Sequence, residues 1–453
     1  MFRRSLEAEL EKWRSRPTRK PLILRGARQT GKTTLIRKFG REFESFIELN
    51  LERDDMQAIF SKVGDIAELV RSIEGIAGKR IHAGRTLLFL DEIQNAPGAI
   101  RSLRFFHEDL PNLHVISAGS LLEVRMKREG WSFPVGRVEF LYIYPVTFLE
   151  FLEALEEKVL IEILYEASPE KPVPQAVHEK ALEILAQYAV VGGMPVAVET
   201  FRKTGSILEV KRDHETLITT LKEDFYKYAR ESETKYLRTI WDQAPYHLGD
   251  RIKYSEFGGH PSAAISHAFD ILHEAMLIER ILPTSRLQPP LVPKEKAAPK
   301  ILGLDIGLSL FSLGITPAQI KEKLISADYH GGLAETLVGQ ELLAMHTHDR
   351  PPHFFWVREE KGAFAELDYL LPWRDGLLPI EVKSGKAGSL KSLHQFLLRS
   401  KTDLAIRISS APLRQEKVQV TLPQGEVLLF RFLTVPLYLA CRLTHFAHSI
   451  KAL

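Results

Sequence analysis

The residue types best suited to chemistry lie near the amino end. Gly26-Ala27-Arg28-Gln29-Thr30-Gly31-Lys32-Thr33-Thr34 sets two glycines around a short loop and follows the second with a lysine and two hydroxyls. Glycines let backbone N–H groups converge on phosphate oxygens. A lysine at this spacing reaches the β- and γ-phosphates, and the first hydroxyl, Thr33, can ligate Mg²⁺. The whole loop, Gly26 to Thr34, therefore predicts a cradle for ATP. A second group closes the apolar run Thr86-Leu87-Leu88-Phe89-Leu90 with Asp91-Glu92. At the tip of a buried strand, Asp91 would hold the Mg²⁺ through water, and Glu92 would act as general base on the attacking water. A third run, Leu113 to Ser120, ends in small polar residues. Ser120, or alternatively Ser117, supplies a hydroxyl for the γ-phosphate or the attacking water.

These residues need elements to carry them. Pro21 to Leu24 is a short apolar run that reads as a strand into the glycine loop, and Leu35 to Phe39 reads as the helix that leaves it. The amino end of that helix adds a dipole favourable to phosphate. Phe46 to Leu51 is a further strand. Strands alternating with helices predict an α/β fold with a parallel sheet. The composition agrees: 453 residues, 45% hydrophobic and 26% charged, suffice for several globular domains. A net charge of +3 gives no chain-wide drive toward nucleic acid, so any basic surface must be local. The single cysteine, Cys441, excludes an intrachain disulfide and fits a reducing cytoplasm. No apolar stretch has the length of a membrane span, and the charged start lacks the core of a signal peptide, so no membrane partner is expected.

Read together, GARQTGKTT, LFLDEIQNAP, ISAGSLLE and PVGRVEFLYIYPVTFLEFL resemble a family of bacterial and archaeal AAA-type ATPases whose C-terminal half carries a shared region of unassigned function, DUF4143. Order and spacing match along most of the chain. The resemblance implies ATP hydrolysis with Mg²⁺ and an AAA-type domain over 1–150. It puts Ser120 at the sensor-1 position. It puts Arg137 in the place of a basic residue that stabilises transition-state charge, in cis or from a neighbouring subunit; an ordinary ion-paired arginine is the alternative. It also implies that the turn Val191-Gly192-Gly193-Met194-Pro195 packs a helical lid, 151–230, on the nucleotide domain.

Phe148 to Lys158, His178 to Val190 and Glu215 to Arg230 read as amphipathic helices. From Glu233 to Ser285 the order is helix, short element, helix Pro261 to Leu272, then a strand pair over Glu274 to Leu282. That describes a winged helix over 231–300. Its recognition helix offers Ser262, Ser266 and His267 but no lysine or arginine, so it can serve DNA or dock a protein. Pro289 to Lys300, rich in proline and lysine, reads as an interdomain loop.

Beyond residue 301 lie a helix from Gly331, strands His353 to Val357, Phe364 to Leu371 and Leu377 to Gly385, and a helix Leu390 to Leu398. In an extended strand Glu381 and Lys383 share a face. Asp368 on the neighbouring strand and Glu335 on the preceding helix can join them. Clustered carboxylates suit a hard divalent cation, and a nearby lysine can position the attacking water. The pattern resembles the PD-(D/E)xK nuclease fold over 301–453, with Gln395 matching a helix glutamine in one branch. A retained ion cluster without cutting activity is the other reading.

Two functions follow. One is an ATPase that drives or switches action on DNA through the winged helix and a nuclease-like domain. The other is a nucleotide-switched module whose inactive nuclease-like half docks a protein partner or a second copy.

Overall fold

The computed structural model describes the chain except residues 1, 62–64, 121, 123, 126–129, 132, 295–296, 317–318, 320–331, 361–362, 384–389, 401, 422–424 and 451–453. Its amino-terminal third is built on five short strands. They are β1 (Leu22–Arg25), β2 (Ser45–Asn50), β3 (Thr86–Asp91), β4 (His114–Gly119) and β5 (Glu139–Tyr142). All pair in parallel, in the order β2-β3-β4-β1-β5. Parallel sheets bury both faces, which is why β3 is apolar without alternation. Leu22, Leu24, Leu87 and Phe89 pack one face against the helices Leu6–Ser15 and Lys32–Gly40. Ile23, Ile47, Leu88 and Leu90 pack the other against Ile66–Ala77 and Pro97–Asp109. Because the strands run one way, the residues after β1, β3 and β4 gather at one edge. The sequence groups that look separate on the chain are thus neighbours in space.

Helices follow from Phe148 onward. The run read as one helix to Lys158 is two, Phe148–Ala154 and Lys158–Glu166, separated by Glu156 in the left-handed region at φ 60°. The first opens on a capping box, Thr147 with Glu150. Glu215 to Arg230 is likewise divided, into Ile207–Glu223 and the short Phe225–Tyr228.

The carboxyl half is organised on a mixed eight-stranded sheet. It comprises β6 (Ile278–Thr284), β7 (Lys300–Gly303), β8 (His353–Glu360), β9 (Ala363–Trp373), β10 (Gly376–Val382), β11 (Leu404–Ser409), β12 (Arg414–Thr421) and β13 (Val427–Pro436). The order is β12-β13-β11-β10-β9-β8-β6-β7. The strand pair expected over Glu274 to Leu282 is instead formed by β6 with β7, which begins at Lys300. β6 and β7 do form an antiparallel pair, but β6 also runs parallel to β8 and so belongs to the large sheet. Ile278 and Ile281 are buried in the same hydrophobic cluster as Ile265, Phe269 and Leu272 of the helix Ser262–Glu274. Lys300, expected at the end of a loop, opens β7. One hydrophobic cluster runs from Val146 and Phe148 through Leu217, Phe269 and Tyr369 to Ile450, tying helices and sheet together.

Candidate functional site

At the carboxyl edge of the parallel sheet, the loop after β1 closes over the amino end of the helix Lys32–Gly40. Gly31 has φ 95°, which a side chain would strain, and a Cβ on Gly26 would lie 2.5 Å from the Ile143 carbonyl oxygen. Lys32 folds back, donating to the Gly26 and Ala27 carbonyls at 2.9 and 2.7 Å. Thr30 Oγ1 donates to Ala27 O at 2.8 Å, fixing the turn. Thr33 Oγ1 donates to Asp91 Oδ2 at 2.9 Å across the crevice. A hydroxyl and a carboxylate side by side are donor types that would suit a hard divalent cation such as Mg²⁺. Glu92 sits in the left-handed region, φ 52°, the kind of strain found where a side chain must be aimed.

Burial pushes the Lys32 ammonium down to about 8, against the charges of Glu92 and Asp91, which hold it up. Burial also raises the Asp91 carboxyl to about 6; the Thr33 hydrogen bond opposes the shift and the charge of Glu92 adds to it. Ser120, just beyond β4, is buried, and its Oγ has no hydrogen-bond partner. Ser117 donates to Leu22 O at 3.3 Å inside the sheet and is thereby removed from the site. A cleft of about 580 Å³ opens over the loop, lined among others by Phe2, Lys32, Thr34, Glu92, Ser120 and Val196.

Two arrangements were missed by the sequence reading. Gln94 donates through Nε2 to Glu92 Oε2, and a Cβ on Gly119 would stand 2.3 Å from Gln94 Oε1, so that glycine makes room for it. Gln94 lies in the LDEIQNAP motif, the one signal that pointed to it. Arg28 pairs with Asp224 at the end of the helix Ile207–Glu223, and Gln29 Nε2 donates to Thr220 Oγ1 on that helix at 3.2 Å. The loop thus holds the helical region that follows β5 directly.

Arg137 is elsewhere. It precedes β5, whose first residue pairs with the first residue of β1, at the edge opposite the loop. There Arg137 Nε donates to Glu108 Oε1 at 2.7 Å, and its side chain is 44% exposed. It lies away from the cleft of its own chain and is ion-paired there.

The C-terminal residues do assemble, around a group the sequence reading passed over. Glu381 Oε1 and Lys383 Nζ are 2.5 Å apart, and Asp368 Oδ2 accepts from Val382 N at 2.7 Å. Lys300 Nζ stands among Glu335 Oε2 at 2.8 Å, Glu366 Oε1 at 2.8 Å and Asp368 Oδ1 at 3.5 Å. Burial would pull this ammonium down, but the three carboxylates override it and hold it well above the ordinary lysine value. Burial and the charge of Asp368 raise the Glu335 and Glu381 carboxyls. Gln395 takes no part in these contacts; its Oε1 accepts from Arg358 Nη1 at 3.0 Å. Ser384 and Gly385, at the end of the expected strand, lie outside the described residues.

A parallel sheet carrying a glycine loop, its lysine and an acidic pair at one edge is an α/β fold of the P-loop ATPase kind. Residues 18–152 match the family AAA_14, described as an AAA domain; residues 330–425 match DUF4143 and residues 182–319 match DUF8612, both described as domains of unknown function. No curated protein matches the chain. Among solved structures it is similar to the Walker-type ATPase PABY2304 of Pyrococcus abyssi, at 15% identity and TM-score 0.43 over 69% of this chain and 96% of that one. It is similar to PCH-2 of C. elegans at 12% identity and TM-score 0.29, over 46% and 65% of the two chains. For the ORC2 protein of Aeropyrum pernix, solved in ADPNP–ADP complexes, the values are 12%, 0.25, 62% and 88%. No described helix is long and apolar enough to cross a membrane.

Proposed function

We propose that this chain binds and hydrolyses ATP in the cleft over Gly26–Thr34 and uses the nucleotide state to set the arrangement of its carboxyl half, in the cytoplasm. The observation that carries the reading is Lys32. It is a buried cation whose hydrogen bonds go to two loop carbonyls and whose burial the charges of Glu92 and Asp91 offset only in part, so it favours a further anion. A triphosphate supplies that anion. Backbone N–H groups of the loop and the helix end orient its phosphates. Mg²⁺, when bound, neutralises charge developing on the phosphate oxygens. Thr33 and Asp91 are the residues that would hold it. Glu92, steered by Gln94, takes the proton of the attacking water, and the unpartnered Ser120 hydroxyl is available to the γ-phosphate. Arg28 and Gln29, in the loop, bond the helix Ile207–Glu223, which supports a lid role for that region and gives the nucleotide a route to the second half.

For that half we favour protein docking over action on DNA. The helix Ser262–Glu274 bears no lysine or arginine; its Asp270 pairs with Arg280, and His267 stands 3.7 Å from Glu233. Such a face does not offer phosphate the cations it needs. DNA binding that weakens steeply with salt would instead support the DNA reading.

The assay is ATP binding and turnover on the parent, Lys32→Ala and Glu92→Gln. Lys32→Ala is expected to lose ATP binding. Glu92→Gln is expected to keep binding while turnover falls about 10²–10⁴-fold. A Lys32→Ala protein that binds and hydrolyses ATP like the parent refutes the assignment.

A further inference from the structure

We infer that the Lys300 ammonium occupies the position a divalent cation would take among the C-terminal carboxylates, so this cluster is a closed ion-pair hub and not a metal centre. A hard cation such as Mg²⁺ requires several oxygens turned toward one point. Here those oxygens are already engaged. Glu335, Glu366 and Asp368 each turn one toward Lys300 Nζ, whose side chain is only 4% exposed. The other Asp368 oxygen accepts the Val382 N–H, and Glu381 Oε1 is held by Lys383. Glu381 Oε2 alone, among the Asp368 and Glu381 oxygens, is buried with no hydrogen-bond partner. One oxygen does not make a divalent site. Among the described residues no group of three or more His, Cys, Asp or Glu side chains has the geometry to hold a metal ion.

The chain supplies this cation by design of its topology. Lys300 opens β7 at the sheet edge, opposite Arg251 in an isolated antiparallel bridge. Arg251 lies 2.6 Å from Glu359 and 4.0 Å from Glu366, and Lys294 lies 2.7 Å from Glu359. Three cations from the stretch before β8 therefore cover acids of β8 and β9. The strand pairing that draws β6 and β7 into the large sheet is what delivers the ammonium to the carboxylates. The arrangement also accounts for Glu335, Asp368, Glu381 and Lys383 standing together without the opening that metal-dependent hydrolysis of a phosphodiester needs. This inference is independent of the ATP site.

The test is Mn²⁺ binding by the nucleotide-free full chain, followed by calorimetry and by the electron paramagnetic resonance of free Mn²⁺. The parent, Lys300→Met and Lys300→Met/Glu381→Gln are compared. The parent is expected to show no saturable site up to millimolar Mn²⁺. Lys300→Met is expected to gain one site at least about tenfold tighter than any in the parent, and the double variant to lose it. A parent that binds one Mn²⁺, with affinity unchanged by Lys300→Met and abolished by Glu381→Gln, overturns the inference. Should Lys300→Met fail to fold, reductive methylation of the parent decides. Lys300 is expected to stay unlabelled with and without Mn²⁺; labelling that appears only with Mn²⁺ means the metal displaces it, and the inference falls.

Discussion

An ammonium enclosed by protein, with nearby carboxylates offsetting its burial only in part, holds its proton weakly, and Lys32 is in that position. With its value pushed down to about 8, roughly half of these lysines are neutral at pH 8. A bound triphosphate favours the charged form. ATP binding near pH 8 is therefore expected to take up about half a proton per chain, falling toward zero below pH 7, where Lys32 is already charged. Asp91, raised to about 6, is ionised at pH 8 and does not mask the effect. Calorimetry of binding in buffers of different ionisation enthalpy measures the uptake; a binding heat at pH 8 that does not depend on the buffer refutes it. The loop and the acidic pair were legible from sequence because their chemistry is local: a glycine spacing and a strand end fix where each group points. The place of Arg137 was less legible, because its distance from the loop depends on β5 running parallel to β1, which no local pattern records. Lys300 was missed because it closes PKEKAAPK, a run whose composition reads as solvated loop.

At the scale of elements, the first helix is locked to the lid side by one buried group. Glu150 caps the helix Phe148–Ala154 with Thr147 and pairs with Arg4 Nε at 3.0 Å. Through Oε1 it also accepts from Ser5 N at 2.7 Å and Ser5 Oγ at 2.6 Å. Burial alone would raise this carboxyl, but Arg4 and the Ser5 hydrogen bonds outweigh it and hold it below the usual range. A depressed carboxyl contributes stability above its unfolded value and loses it as pH falls through the folded one. Removing the group leaves Arg4 buried without its partner. Glu150→Ala is expected to cost about 3–5 kcal/mol, read from urea unfolding at pH 7. The parent should lose its margin over the variant as the acid limb is approached. Helix existence was readable here from apolar spacing. The break at Glu156 was not, because a left-handed glutamate has no local sequence signature.

At the scale of the molecule, the contact between the phosphate loop and the helix Ile207–Glu223 couples the two halves. Arg28 is shared in principle between Asp224 and a phosphate, and it cannot serve both fully. Neutralising Asp224 frees it. Asp224→Asn is expected to tighten ATP binding several-fold while leaving the far-ultraviolet circular dichroism spectrum unchanged; unchanged or weaker affinity speaks against a competition for Arg28. The joint sheet was the least legible feature, because strand pairing across β6 and β8 links segments far apart in the chain and no local pattern records it.

That shared sheet has a consequence for the history of the protein. A chain that grows by trading cassettes must be severable where the cassettes meet. Here a cut ahead of residue 301 would strip β8 of its neighbour β6 and leave a raw edge of unpaired peptide groups, an invitation to stick to other chains. A break at that point is therefore physically disfavoured, because β6 and β8 belong to one sheet.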